Sequence, residues 1–277
     1  MPLVVSPRRR PVPAAAPAAA EPADAAYTAP ALEKGLDILE LLAAENDGLA
    51  QAAIAQRLGR STAELFRMLS VLARRGYLTR HSDGMYRLSM RLFELAHLHP
   101  PLKRLLDVAL PAMRELAEAC RQSNHLVIHF AGRILVVAQV DSPEPMGFGV
   151  RLGANFPFRP DRASSRVLSA FQPLATQDEL IAELLANGGR RGVSAARMRD
   201  GLADIAAKGF YMAPSDTTTG VTDLCAPIFD HGRGAVAALT VPYLRQRDVR
   251  TGIASAREAL LATVKRISSG LGAVRQG

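Results

Sequence analysis

Residues 51–88 read QAAIAQRLGRSTAELFRMLSVLARRGYLTRHSDGMYRL, and this stretch decides the architecture of the N-terminal part of the chain. Two short helical patterns meet at Leu58-Gly59-Arg60-Ser61. The second opens on Ser61-Thr62-Ala63-Glu64, the spacing of a capping box: the serine oxygen accepts from the Glu64 N–H while the glutamate reaches back to the Ser61 N–H. Leu65, Met68 or Leu69, and Leu72 then recur every three to four residues as one buried stripe, with Arg67, Ser70 and Arg74 on another face. Gly76 ends the helix. Beyond it, residues 77–80 and 85–88 alternate polar and apolar character around His81-Ser82-Asp83-Gly84, and Asp-Gly is a hairpin signal. Helix, turn, helix and basic hairpin together predict a winged helix-turn-helix. From Arg57 to Arg91 there are eight arginines against two acids, a patch suited to a polyphosphate.

At 277 residues the chain is long enough for two domains, each with its own core. A formal charge of +8 favours an anionic partner without identifying DNA; the concentration of that charge beside a helix-turn-helix is the stronger signal. Cys120 and Cys225 are far apart and outside any ligand motif, which argues against a disulfide framework or structural zinc and for a reducing, cytoplasmic compartment. No run approaches the ~18 apolar residues of a membrane span, and the first ten residues lack the apolar core of a signal peptide.

Residues 1–28 are rich in Pro and Ala, with Arg8-Arg9-Arg10 as the only dense charge, and are expected to be a disordered tail. Leu32, Leu36, Leu39 and Leu42 predict a first helix, which Asn46-Asp47-Gly48 breaks. The DNA-binding domain is accordingly set at 29–89 and a linker helix region at 90–110. There Ser89 caps a short segment from Arg91 to Leu98, and a helix follows from Pro101 to Leu110. The remainder, 111–277, opens with a further helix from Pro111 to Arg121.

Beyond Ser123 the period changes. Strands are predicted over 125–130, 134–140 and 146–151. Helices follow at about 163–172, 176–187 (Thr176-Gln177-Asp178-Glu179 having the form of a second capping box) and 194–207. Strands over 224–229 and 235–241 and a helix over 250–271 complete the chain. Strands, then helices, then strands and a helix indicate an α+β domain.

With both halves in view, the chain resembles the isocitrate lyase regulator (IclR) family of bacterial transcription factors from Ala31 to about Leu271. The resemblance is carried by an ordered set of segments: ALEKGLDILELL at 31–42, RMLSVL at 67–72 with GYL at 76–78, DGMYRL at 83–88 and RLGANFP at 151–157. GFY at 209–211, APIFD at 226–230 and AVAALTV at 235–241 complete it. It implies a winged helix-turn-helix, a linker helix and a C-terminal effector domain related to GAF and PAS sensors. It also implies homodimers or homotetramers that control catabolic operons in response to small organic or aromatic acids. Where many relatives open the recognition helix with Pro-Lys-Ser-Thr, this chain has Ser61-Thr62-Ala63-Glu64, and Phe66 replaces the usual His or Tyr, so the operator sequence does not transfer.

For operator DNA, Arg67 and Ser70 are the outer-face candidates, since arginine can grip guanine in the major groove. Arg60, Ser61 and Thr62 stand at the helix N-terminus, where free N–H groups favour phosphate. Arg80, His81 and Arg87 lie on the wing, and Phe66 packs or meets a thymine methyl. For the effector, a pocket is expected between the sheet and the helix starting near Arg162-Ala163-Ser164-Ser165. By resemblance Ala163, Ser164, Asp223 and Thr240 match pocket positions of the family, and Phe148, Ser215 and Cys225 are neighbours by pattern. Asp223 beside an acidic effector needs a ligand hydroxyl, an arginine or a proton; its alternative is a turn carboxylate bonded to nearby backbone.

His97 and His99, and His125 and His129, have no carboxylate or cysteine at ligand spacing, so neither a metal nor a cofactor is expected. Ser164-Ser165 lacks a nucleophile-elbow pattern, which counts against the competing reading of a hydrolase-like enzyme built on the C-terminal part. Cys225, in an apolar strand pattern, reads as a small buried residue rather than a redox sensor. A nonspecific architectural DNA binder would not need the long mixed domain after the wing.

Overall fold

The computed structural model describes residues 29–188, 194–246 and 251–273. The tail expected over 1–28 lies outside them. The chain divides into two compact units, 1–99 and 100–277.

In the first unit, α1 (Pro30–Ala43), β1 (Leu49–Ala50), α2 (Gln51–Arg57) and α3 (Thr62–Arg74) precede the wing strands β2 (Leu78–Arg80) and β3 (Met85–Leu88), and α4 (Arg91–Leu98) follows. The expected stripe of α3 is inward: Leu65 and Leu69 are fully buried and Met68 and Leu72 partly so, against Ile38, Leu42, Ile54, Leu78 and Tyr86. Gly76, at φ +78°, lets the Tyr77 N–H fold back onto the Leu72 carbonyl at 2.9 Å and close α3. The short β1 escaped sequence reading because two residues carry no period. It pairs with β3, Leu49 opposite Tyr86, and makes the wing a three-stranded sheet in the order β1-β3-β2. Gly48 feeds it at φ +76°, where a Cβ would stand 2.6 Å from the Tyr86 carbonyl oxygen. The Ser89 hydroxyl accepts from the Arg91 N–H at 3.1 Å, but Ser89 stands one residue before the N-cap of α4, which is Met90 and makes no side-chain cap, so the capping role expected of Ser89 is corrected.

The second unit begins with α5 (Pro100–Cys120). Two helices were expected here, breaking at Pro111 between the linker region and the effector domain; one helix runs through instead. Proline removes one intrahelical donor, but Leu105, Ala109, Ala112, Met113, Leu116 and Cys120 bury one continuous apolar face that spans the break. The compact units divide at His99/Pro100, so residues 90–110 are shared between them.

β4 (Asn124–Phe130), β5 (Arg133–Val140) and β6 (Asn155–Pro157) follow, then α6 (Ala163–Ala170), α7 (Leu174–Ala186) and α8 (Ala195–Lys208). β7 (Tyr211–Pro214), β8 (Val221–Phe229), β9 (Ala235–Leu244) and α9 (Ile253–Gly270) complete the unit. The strands form one antiparallel sheet, ordered β6-β5-β4-β9-β8-β7. Alternation along each strand separates two cores. Leu126, Leu224, Ala226 and Leu239 face α5 and α9, whereas Val127, Cys225 and Ala238 face α6, α7 and α8.

Three local expectations are corrected. The strand expected over 146–151 is irregular chain, and the edge strand forms later, at Asn155–Pro157, where Ile134 pairs with Phe156. α7 starts at Leu174 behind Pro173, so Thr176 lies inside it and caps nothing; proline's fixed φ supplies the start. β7, too short for a period, was not foreseen.

The close contact at Gly48 gives a test. Gly48→Ala should destabilise the first unit by roughly 2–3 kcal/mol, combining left-handed strain with the clash on Tyr86. Gly84→Ala, also at positive φ but with nothing within 4 Å of its Cβ, should cost about 1 kcal/mol. Equal losses in thermal unfolding would remove the clash.

Candidate functional site

The recognition helix is fastened at its start before it offers anything to a partner. Ser61 caps α3, its Oγ accepting from the Glu64 N–H at 3.3 Å, while Glu64 accepts from the Ser61 N–H at 3.0 Å and hydroxyl at 2.9 Å. Lys34 of α1 adds an ion pair to Glu64 at 3.2 Å. These partners, the Ser61 backbone first, hold the Glu64 carboxyl at about 2. Arg60 is 3.8 Å from Asp37, and the Thr62 carbonyl accepts from Gln51 at 3.0 Å. Four of the residues around this start are therefore tied to α1, to α2 or to one another.

What remains outward is Phe66, 54% exposed, and Arg67, exposed and without a hydrogen-bond or ion-pair partner among the described residues. Ser70 is exposed, but its hydroxyl donates to the Phe66 carbonyl at 2.8 Å. On the wing, Arg80 lies over the Tyr86 ring at 5.6 Å and His81 is 3.2 Å from the Thr79 hydroxyl. Arg87 is more committed than its sequence suggested: it donates to Asp83 at 3.1 Å and to the Asp47 carbonyl at 2.9 Å, bracing the turn. That bracing, with the Met85 N–H foremost, lowers the Asp83 carboxyl.

In the second unit a cavity of about 460 Å³ opens between the start of α6 and the sheet. Phe148, Ala163, Ser164, Ser215, Asp223 and Thr240, all singled out from sequence, line it together. Strand register explains the meeting: His125 on β4 stands beside Thr240 on β9, and Asp223 on β8 beside Pro242 on β9. Cys225 does not line the cavity. It pairs with Thr240 across the sheet, is fully buried in the core beneath, and receives the Thr240 hydroxyl at 3.2 Å. Burial pushes its thiol up to about 12, the opposite of a redox-active thiolate.

Sequence reading passed over His125 as a lining residue. It is 8% exposed, with burial lowering its imidazole to about 4. Arg162 was named only as a helix start. Its guanidinium lies over Phe156 at 4.4 Å, and burial lowers its pKa. As the N-cap it makes no side-chain cap, so the first N–H groups of α6 face the cavity end without one. Asp223 is raised by burial, against a hydrogen bond from Ser215 and the field of Arg162. The arrangement offers an anion a helix start and a guanidinium, within walls of Val127, Ile134, Phe148 and Phe156.

Among the described residues no group of three His, Cys, Asp or Glu can hold a metal, and the His97 side chain lies outside them. His129 does meet a carboxylate, Glu183 of α7 at 3.0 Å, as a strut between helix and sheet.

Comparison with known proteins bears on both parts. A family model described as the IclR helix-turn-helix domain matches residues 31–82, and one described as the C-terminal domain of bacterial transcriptional regulator IclR matches residues 102–269. The glycerol operon regulatory protein of Streptomyces griseus is 29% identical over 76% of this chain and 83% of its own. The transcriptional repressor IclR of Escherichia coli is 23% identical over 86% of this chain and 93% of its own. Among solved structures, an IclR homologue from Microbacterium hydrocarbonoxydans complexed with 4-hydroxybenzoate has a TM-score of 0.71. It is 24% identical and covers 87% of this chain and 98% of its own.

His125 makes the second unit acid-sensitive in a defined window. The unfolded imidazole binds its proton near pH 6.5 and the folded one only near 4, so stability attributable to His125 is present above pH 6.5 and is lost as pH falls towards 4. The difference in urea unfolding free energy between wild type and His125→Gln should shrink across that window by on the order of 3 kcal/mol. A pH-independent difference would show that the folded imidazole titrates normally.

Proposed function

The chain belongs to the IclR family of bacterial transcriptional regulators, which pair a helix-turn-helix DNA-binding domain with a C-terminal effector domain, and we propose that its own effector is a small organic or aromatic acid seated in the cavity above the sheet. The observation that carries this reading is the uncapped start of α6 beside Arg162, a cation without a hydrogen-bond partner among the described residues, at the mouth of a largely apolar space. That the Microbacterium homologue is complexed with 4-hydroxybenzoate supports it.

In this reading Arg67 and Phe66 read the operator, the first at a guanine edge and the second against a thymine methyl. Arg60, Ser61, Thr62 and Ser70 place the helix on the duplex, and Arg80, His81 and Arg87 hold the wing against the backbone. Residues 29–89 act as the DNA-binding domain, 90–110 as the coupling segment and 111–277 as the effector domain of a homodimer or homotetramer. Acid binding acts on DNA only through a difference in affinity between the DNA-competent and incompetent arrangements.

The cavity binds rather than catalyses. Ser164 has no hydrogen-bonded base among the described residues, and His125 has no carboxylate partner there. A cytoplasmic location accords with two buried free cysteines and with described helices none of which is long and apolar enough to cross a membrane.

Gel shifts with the intergenic DNA beside the gene should show saturable, salt-sensitive binding. Arg67→Ala should weaken it about tenfold or more, the cost of roughly 1–3 kcal/mol for a lost base contact. Equal affinity for random DNA would overturn sequence-specific reading. A second expectation concerns the cavity. Ser164→Leu should abolish stabilisation by small acids in thermal shift yet leave DNA binding within about twofold; an unchanged shift would move the effector elsewhere.

A further inference from the structure

A second cavity, of about 850 Å³, lies between α8 and the edge strand β7. α8 gives it one face: Arg197, Met198, Gly201, Leu202, Ile205 and Lys208 recur at the three- and four-residue spacing that stacks side chains along a helix. Phe210, Tyr211 and Met212 line it from the strand side, and Met212 is 43% exposed. Gly201, at the middle of the helical face, is a residue that a helix interior disfavours relative to alanine, because it gives up more backbone entropy on folding. Packing does not call for it. A Cβ built on Gly201 would meet nothing within 4 Å, and its backbone needs no left-handed conformation. The glycine thus keeps the floor of the cavity open where α8 by itself would favour a side chain.

The charges around this floor are unequal. Asp161 is paired with Arg159 at 3.0 Å and Asp216 with Arg166 at 3.0 Å, which leaves Asp204 as the one uncommitted acid of the lining among the described residues. Arg197 and Lys208 are both exposed, and neither side chain has a partner among the described residues. Asp204 lies one helical turn before Lys208 and offsets its charge, so the field that remains is centred on Arg197. An apolar floor with a cation at one end suits a flat apolar anion.

Arg166 joins this cavity to the one at the start of α6. It lines the α8–β7 cavity and donates to the Pro160 carbonyl at 2.6 Å, the Tyr211 hydroxyl at 2.6 Å and Asp216 at 3.0 Å. Asp216 stands between Ser215 and Thr217, which line the acid cavity, and Pro160 precedes Asp161, which lines both. We propose that the cavity between α8 and β7 is a second ligand site, for a flat apolar anion whose body lies over Gly201 and whose charge meets Arg197, and that its occupant acts on the acid cavity through Arg166 and the 215–218 loop. The coupling rests on the reading of the first cavity as the effector site; the binding does not.

The test uses 8-anilinonaphthalene-1-sulfonate, an aromatic monoanion, with the full-length protein. Fluorescence titration should show a saturable site that Gly201→Leu weakens about tenfold or more by occupying the floor, although the same substitution raises the midpoint of thermal unfolding. Gly201→Ala, with one methyl in the same space, should weaken the dye about threefold and decides the matter if the leucine variant does not fold. Arg197→Glu should cost about tenfold and Lys208→Glu less than about threefold, whereas Ser164→Leu, in the other cavity, should leave the affinity within about twofold. On saturation with dye, hydrogen exchange at the Ser215 and Val221 amides, which bond to the Val221 and Thr218 carbonyls, should slow about threefold or more. The absence of saturable binding, an affinity unchanged in a folded Gly201 variant, or its loss in Ser164→Leu would overturn the second site. Unaltered loop exchange at saturation would overturn the coupling. Failure of small acids to stabilise the protein would remove the acid-site reading and the coupling to it, while dye binding would still decide the second site.

Discussion

A sheet covered on both faces sets the terms for everything in the second unit. α5 and α9 take one side and α6, α7 and α8 the other, so successive side chains on β4, β8 and β9 must satisfy two different interiors, with no solvent face to accept an ill-suited residue. On the α5–α9 side the requirement is met by apolar packing, aliphatic except for residues such as Met113, Cys120 and Tyr243. On the other side it is met up to the start of α6, where the layer thins and His125, Asp223 and Thr240 take apolar positions. The cavity is a place where the two-sided rule is broken over a few adjacent strand positions, and such breaks need a compensating partner.

The first unit works under a different constraint. Its core is small, built from nine buried residues that draw on α1, α2, α3 and the wing, and the helix it presents is short. Position is therefore secured by polar fastenings: the reciprocal Ser61–Glu64 cap, Lys34 on Glu64, Arg60 near Asp37, and Gln51 on the Thr62 carbonyl. Exposed ion pairs of this kind contribute little energy singly. Their importance is geometric, since they converge on the first turn of α3 and fix its direction, while Phe66 and Arg67 are left uncommitted for recognition.

Much of this was legible in the sequence, for identifiable reasons. α3 was legible because a capping box, a leucine stripe and a glycine stop agreed with one another, and the wing because Asp83-Gly84 dictates its turn. The cavity residues Ala163, Ser164, Asp223 and Thr240 followed from family resemblance, and Phe148 and Ser215 from pattern. β1 and β7 were missed because two to four residues display no period. Pro111 misled because a local rule was outweighed by the burial of a whole helical face. Cys225, offered as a neighbour by pattern, does not line the cavity: it pairs with Thr240 across the sheet and is fully buried beneath it. His125 and Arg162 were overlooked as lining residues because a histidine in an apolar strand and an arginine before a helix have no sequence signature until register and packing bring them to one space.

The alternation that builds the sheet also separates two kinds of inheritance. Leu126, Leu224 and Leu239 sit next in sequence to His125, Asp223 and Thr240, yet they face the opposite way, into the α5–α9 core. Substitutions on the cavity side can therefore accumulate without disturbing that core. A lineage descended from this chain has, in its strands, a floor that selection can rewrite one residue at a time while the fold beneath is handed down unchanged.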